Sequence, residues 1–520
     1  MKGIPAETDF VVIGASVAGL RAAIELAAGG RVLVLNKKGI PDFSAGDAKN
    51  RASWLSDEDD ISLHLQDTLD SGDGLCNLSA VKVLLEEAPE RIEELIAWGK
   101  HHGTKLIFGP ENAHSRGRVL HAEEEPAGRE IYRILCEKLH GLKHASVAPF
   151  SLVTNLIIQE GVVAGISLLD ENGVPKDLGC SAVLLATGGL GQIYRSTTNP
   201  EAATGDGVAL AFRAGAELSD LEFIQFHPTA LYMKKVPHIP LPETLLEQGG
   251  YLRNFELNRF MGKYHPSAER APRDLMLRAI VHEMEVSRAK DPFVYLDMTH
   301  LRAATVQKQF HRIYETCMAH NLDITEDVIP VRPAELFCMG GVRTDLDGKS
   351  SVPGLYAAGE VAATGVHGAN RLPSNALLEC LVFGARAGKA MGAIQKKPQG
   401  RVDVQPKAVY SNGPVDAGVE ELISQIQDLM WKEVGIVRTR TGLQKTVKML
   451  EEMGPKFAHP KTRRSHEAAN IHMTASHVAR SALAREESRG AHYRMEYPDH
   501  DDRKFSKHSV VRGEKVVFLN

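Results

Sequence analysis

No two of the six cysteines form a Cys-x-x-Cys pair. Cys76, Cys136, Cys180, Cys317, Cys338 and Cys380 are scattered along the chain. That spacing argues against an iron–sulfur cluster, a structural zinc module and a disulfide framework, and it suits a reducing cytoplasm. No metal site is expected. Long apolar runs are also missing, since none nears the roughly 20 residues that cross a bilayer. Positive charge is not in excess: the net charge of −5 offers no field for nucleic acid or an anionic membrane. Glu7 and Asp9 precede the first short apolar run, so no signal peptide is expected. Internal repeats and low-complexity linkers are absent too. What is present is ordinary for a globular protein, with 43% hydrophobic and 24% charged residues. At 520 residues the chain outgrows a single core and should divide into several domains.

Glycines and their neighbours carry the information. Phe10–Ile13, then Gly14-Ala-Ser16-Val-Ala-Gly19, a helix-like stretch from Leu20 to Ala28 and a second strand at Arg31–Leu35 predict a βαβ unit. Its turn has the form of a dinucleotide fingerprint, but Ser16 replaces the middle glycine that lets backbone approach a pyrophosphate. A serine there trades closeness for a hydroxyl. The acidic residue expected after the second strand is absent as well, and Asn36-Lys37-Lys38 stands there instead. A second apolar run, Ala182–Ala186, empties into Thr187-Gly188-Gly189, and Thr204-Gly205-Asp206-Gly207 follows. Leu355–Ala358 runs into Gly359-Glu360, where a carboxylate could hold a ribose or ribitol hydroxyl. Three strand ends of one chemistry, hundreds of residues apart, point to one flat, phosphorylated ligand in an α/β sheet.

The order of these motifs together with Thr198-Asn-Pro200, Gln225-Phe-His-Pro-Thr229, Ala271-Pro-Arg-Asp274, Gly340-Gly-Val342, Gly368-Ala-Asn-Arg371, Ser374-Asn375 and Glu487-Ser-Arg-Gly490 resembles the succinate dehydrogenase/fumarate reductase flavoprotein superfamily. The likeness spans essentially the whole chain. Within that superfamily it is most similar to the L-aspartate oxidases. No histidine stands near Asp42–Gly46, where covalent-flavin members carry one. The segment Glu111–His121 resembles the one whose glutamate faces a substrate amino group.

The resemblance implies an α/β fold: a Rossmann-like FAD-binding domain (1–231 and 339–400) interrupted by an α+β capping domain (232–338), with a C-terminal domain of three helices and a tail (401–520). It implies non-covalent FAD held by Gly14, Ser16, Gly19, Asn36, Lys37, Thr187, Gly188, Gly189, Asp206, Gly359, Glu360, Asn375, Ala376 and Leu377. Arg371 and His227 would hold substrate carboxylates, where an arginine fork matches a carboxylate. Arg273 would transfer a proton beside the flavin; its very high pKa makes electrostatic positioning the safer role. Glu111 would select an ammonium group. The implied reaction oxidises L-aspartate to iminoaspartate with oxygen or fumarate as final acceptor. Its product would feed de novo NAD biosynthesis through a quinolinate synthase partner.

Several positions depart from the superfamily pattern. Asp47-Ala-Lys49-Asn50-Arg51 replaces a glycine-rich loop that lies along the flavin. Pro242 replaces a threonine in the segment 242–249, Leu336 replaces a second substrate histidine, and Ala376 replaces a serine. These losses keep open two alternatives: a soluble oxidoreductase of succinate, fumarate or another dicarboxylate, and a paralogue with weakened or no catalysis.

Overall fold

Short, wholly apolar runs without alternation suit a parallel sheet covered on both faces. The computed structural model, which describes residues 4–39, 52–53, 61–99, 106–109, 115, 119–122, 127–234, 236–394 and 417–520, places them there. The elements that position the site begin with β1 (Phe10–Ile13), α1 (Val17–Leu26), β2 (Val32–Leu35), β3 (Ala145–Ala148) and β4 (Ala182–Leu185). Next come α2 (Asp206–Arg213), β5 (Leu218–Ser219), β6 (Ile224–Leu231), α3 (Arg273–Val286), β7 (Ile329–Cys338) and β8 (Gly341–Arg343). The chain continues through β9 (Leu355–Ala357), β10 (Ala362–Ala363) and α4 (Asn375–Gly392). It closes with α5 (Ala417–Glu433), α6 (Arg440–Met453), α7 (Arg463–Ala484), β11 (His508–Arg512) and β12 (Lys515–Leu519).

The first sheet has the order β9-β4-β1-β2-β3, with every pair parallel. Phe10 stands in register with Ala182 on one side and Val32 on the other. β1, β2 and β4 are buried at every position. The carboxyl ends of β1, β4 and β9 therefore lie side by side, which brings Gly14, Thr187 and Gly359 to one edge of the sheet. α1 starts at Val17, earlier than the sequence suggests. The Ser16 hydroxyl caps it by accepting the Gly19 N–H.

Between β3 and β4 the chain forms strands Leu152–Gln159, Val162–Leu169 and Pro175–Gly179 in an antiparallel meander. A third, antiparallel sheet pairs β6 with β7 and adds strands Ile239–Pro240, Val294–Asp297 and Tyr251–Arg253. Its own apolar cluster includes Leu231, Leu252, Phe260, Ile280 and Val331.

The three C-terminal helices predicted from the sequence form, but the last ends at Ala484 rather than Arg489. The tail is not merely a tail. β11 and β12 form a hairpin that enters the sheet β10-β8-β5-β11-β12, pairing Leu218 with Val511. Val510 and Val511 are fully buried there, and that burial is what draws the chain end back into the body. No helix among the described residues is long and apolar enough to cross a membrane.

Candidate active site

Gly14 closes β1 with φ +110°, and a Cβ on it would lie 2.1 Å from the Ala186 carbonyl oxygen. No side chain fits there, so β1 and β4 meet backbone to backbone. The Ser16 hydroxyl spends its one proton on the Ala186 carbonyl at 2.9 Å, binding the two strand ends together. Asn36 at the end of β2 does similar work. Its carbonyl oxygen accepts from the Ala15 N–H, and its amide donates to the Lys38 and Gly39 carbonyls.

Lys37 turns inward. Its ammonium group lies 2.7 Å from Asp206 and 3.0 Å from Glu467, tying the end of β2 to α2 and α7. Asp206 accepts further from Thr204 and Asn470. Although burial alone would raise its carboxyl, Lys37 and these donors hold it below the usual carboxylate range. The Thr187 hydroxyl accepts the Gly207 N–H at the start of α2. Gly188 has φ +75°, and a Cβ there would face open space, the geometry of a ligand cradle. Beside it, a Cβ on Gly189 would lie 2.3 Å from Glu360 Oε1. Glu360 is half-buried behind the φ +76° turn at Gly359 and accepts the Cys338 N–H at 3.2 Å. Burial pushes it up to about 7, against the pull of that N–H and of Arg371. Asn375, fully buried at the first turn of α4, bonds the Thr68 hydroxyl and His64, with Ala376 and Leu377 beside it.

The second group of residues converges on β6. His227 is buried, and its Nδ1 accepts the Thr229 N–H at 3.3 Å. A backbone N–H only donates, so the ring proton sits on Nε2, which is free to donate onward. Burial first, then the charges of Arg273 and Arg371, holds His227 well below its ordinary pKa. Both guanidinium groups therefore lie close enough to act on one neutral imidazole. Arg371 donates to the Gln225 side-chain carbonyl at 2.9 Å, two residues before His227, and its guanidinium lies 4.5 Å from the centre of the Phe337 ring. Arg273 opens α3, and its Nε lies 2.9 Å from Glu243 Oε1. Glu111 and the loop Asp47–Arg51 lie outside the described residues.

Three side chains here were not singled out from the sequence. Gln225 positions Arg371, and its signal was its place in the Gln-Phe-His-Pro-Thr motif. Glu243 pairs with Arg273, and its signal was the family segment that begins at Pro242. Phe337 packs under Arg371 and had no signal of its own. Two of the departures come together: Leu336 and Ala376 belong to one apolar cluster with Phe337, Met339 and Leu75.

The FAD binding domain family matches residues 9–377, and the fumarate reductase flavoprotein C-terminal family matches residues 423–518. L-aspartate oxidase of Synechocystis is 36% identical, covering 98% of this chain and 97% of its own. L-aspartate oxidase of Streptomyces coelicolor is 37% identical, covering 97% of this chain and 91% of its own. Among solved structures, Mycobacterium smegmatis Sdh1 in complex with UQ1 superposes with a TM-score of 0.85 at 31% identity, over 99% of this chain and 94% of that one. Matched at this level over nearly its whole length, the chain belongs to the L-aspartate oxidase family, within the FAD-binding flavoproteins akin to succinate dehydrogenase and fumarate reductase.

Proposed function

We propose that this protein oxidises L-aspartate to iminoaspartate with non-covalently held FAD, supplying an NAD-building route through a quinolinate synthase partner in a reducing cytoplasm. The residues present fit the cofactor. Gly188 leaves an open cradle, Gly14 lets two strand ends touch, and Glu360 is a half-buried carboxyl able to accept a ribityl or ribose hydroxyl. Bound FAD supplies the hydride acceptor, and the protein supplies orientation and charge. The segment 232–338 would cap the cofactor domain formed by 1–231 and 339–400.

The Arg371 fork would take one substrate carboxylate, and His227 would donate its Nε2 proton to a carboxylate oxygen. A neutral imidazole is the right form for that task, because it donates without adding a third positive charge. Arg273 would stabilise negative charge while holding Glu243 in place. Glu111 would receive the substrate ammonium group and so separate aspartate from succinate. The observation that carries this reading is a buried imidazole whose Nδ1 takes the Thr229 N–H, two residues from the Gln225 that holds the Arg371 guanidinium.

The test is the visible spectrum of the purified protein before and after anaerobic aspartate. A yellow protein bleached by aspartate is expected; a colourless one, or one no dicarboxylate bleaches, overturns the reading. The apolar wall of Leu336 and Ala376 favours a second reading, a relative handling an amine-free dicarboxylate or one with weakened turnover. Glu111→Gln separates the two, since it should collapse aspartate turnover and spare that of succinate.

A further inference from the structure

One buried carboxyl takes no part in the reading above. Glu335 is fully buried on β7, opposite Phe226 on β6, beside the Leu336 bulge. Its Oε2 accepts from the Thr197 hydroxyl at 2.6 Å and the Asn199 amide at 3.0 Å. That same amide donates to the Leu336 carbonyl, so Glu335 braces the 197–199 segment against β7. Its Oε1 is buried with no hydrogen-bond partner.

The geometry around it is specific. A Cβ on Gly191 would lie 2.2 Å from Glu335 Oε2, just as a Cβ on Gly189 would lie 2.3 Å from Glu360 Oε1. Two carboxyls, Glu335 buried and Glu360 half-buried, thus press on alternate residues of one glycine turn. The backbone joins them too, because Cys338, three residues after Glu335, donates its N–H to Glu360. Two like charges bracketing one turn, one of them fully buried, do not both ionise readily.

We propose that Glu335 is a positioning residue of the cofactor site, coupled through its charge to Glu360 across the Gly189–Gly191 turn, so that a hydroxyl-bearing cofactor chain closes over Glu360 only while Glu335 is neutral. This rests on the flavoprotein reading and adds to it a residue and a pH dependence. Burial and the Glu360 charge lift Glu335 to about 8, above Glu360 at about 7. Between these values Glu360 carries the charge and Glu335 the proton. The other groups facing the pair leave that order intact. Arg371 favours the charged form of Glu360, and Glu379 opposes it. Cys338 and Tyr194 are themselves raised by burial and stay protonated. Arg438, beside Tyr194, remains a cation below its own lowered pKa.

The test is FAD affinity of the full-length, flavin-stripped chain against pH, read by quenching of flavin fluorescence. Wild-type affinity should fall as pH rises from 7.5 to 9.5, with a limiting slope of about tenfold per unit for one linked proton. Glu335→Gln keeps a carbonyl for Thr197 and Asn199 and carries no charge, so its affinity should be flat over that range. A flat wild-type profile, or a variant profile parallel to a falling wild-type one, overturns the inference while FAD binding stands. Failure to bind FAD at any pH overturns the flavoprotein reading, and this inference with it. If Glu335→Gln does not fold by thermal melting, Thr197→Val serves. Losing that donor should move the alkaline fall to higher pH, and an unmoved profile overturns the proposal.

Discussion

Two clusters of buried and half-buried carboxyls lie beside β6, and the molecule treats them differently. Near its start, Glu222 and Glu487 meet Arg485 and Arg489. Arg485 lies 2.7 Å from Glu222 and 2.9 Å from Glu487, and Arg489 lies 2.8 Å from Glu487. Carbonyls of Phe505 and Lys507 take further guanidinium protons. Although burial pulls Glu487 up, Arg489 and the Asp501 N–H hold it below its usual value. At the glycine turn, the donors that Glu335 and Glu360 meet among the described residues are hydroxyl, amide and backbone groups, and both carboxyls are raised. The first cluster is closed and fastens the C-terminal tail to the body. The second keeps acceptor capacity, which is what a ligand site needs and a structural junction does not.

The sharpest way to break the contrast is at the closed cluster. Arg485→Ala leaves two buried carboxylates facing each other and should cost about 3–5 kcal/mol of unfolding free energy. Denaturant unfolding would show it, and a loss under about 1 kcal/mol would mean the charges reach water. At the reactive end, Arg371→Lys keeps the charge but loses the fork. Removing such a charged hydrogen bond costs about 1.5–3 kcal/mol, so kcat/KM for aspartate should fall roughly tenfold to a hundredfold. Unchanged kinetics would place the substrate elsewhere.

The third prediction concerns sign. A carboxyl raised in the folded state binds a proton the unfolded chain has lost. Its stabilising share is whole below the unfolded carboxylate pKa and disappears as pH rises toward 7 or 8. Glu360→Gln should therefore stabilise the flavin-free protein at pH 8, on the order of 1–2 kcal/mol, while weakening FAD binding. Glu487, lowered in the folded state, has the opposite sign. Its contribution is present at neutral pH and is lost on acidification, so Glu487→Gln should destabilise at pH 8. Melting curves of the two variants at pH 8 check both, and shifts of the same direction would erase the distinction.

A smaller effect comes from the buried histidines. His227 and His492 are held well below their ordinary values, and His466 and His477 near 4, each chiefly by burial. The unfolded chain binds protons that the folded one refuses below about pH 6.5, so stability should decline as pH falls from there. A melting temperature constant between pH 7 and 5 would contradict it.

The strand-end motifs were readable along the chain because each is local: a run of apolar residues, a glycine whose backbone must go where a Cβ could not, then a polar group. Gly14, Thr187–Gly189 and Gly359–Glu360 needed no knowledge of distant partners. His227, Arg273 and Arg371 were readable only through the order of motifs, since no spacing in the chain says that three side chains share a space. Other features left no trace in the pattern. Lys37 looked like a group for a phosphate or ribose, yet it pairs with Asp206 and Glu467, the latter 430 positions away. Leu336 and Ala376 read as two separate losses, whereas both pack against one apolar cluster.

Residue order was enough for the fold class and the family, because apolar periodicity and glycine placement act over a few neighbours. Folding alone settled which polar groups answer each other and which remain protonated. Burial and the nearest charge set those outcomes, and both come from segments far apart in the chain. Glu335 shows the difference. In the sequence it is one acid among 66; against the Gly189–Gly191 turn it is a buried proton holder beside the cofactor cradle.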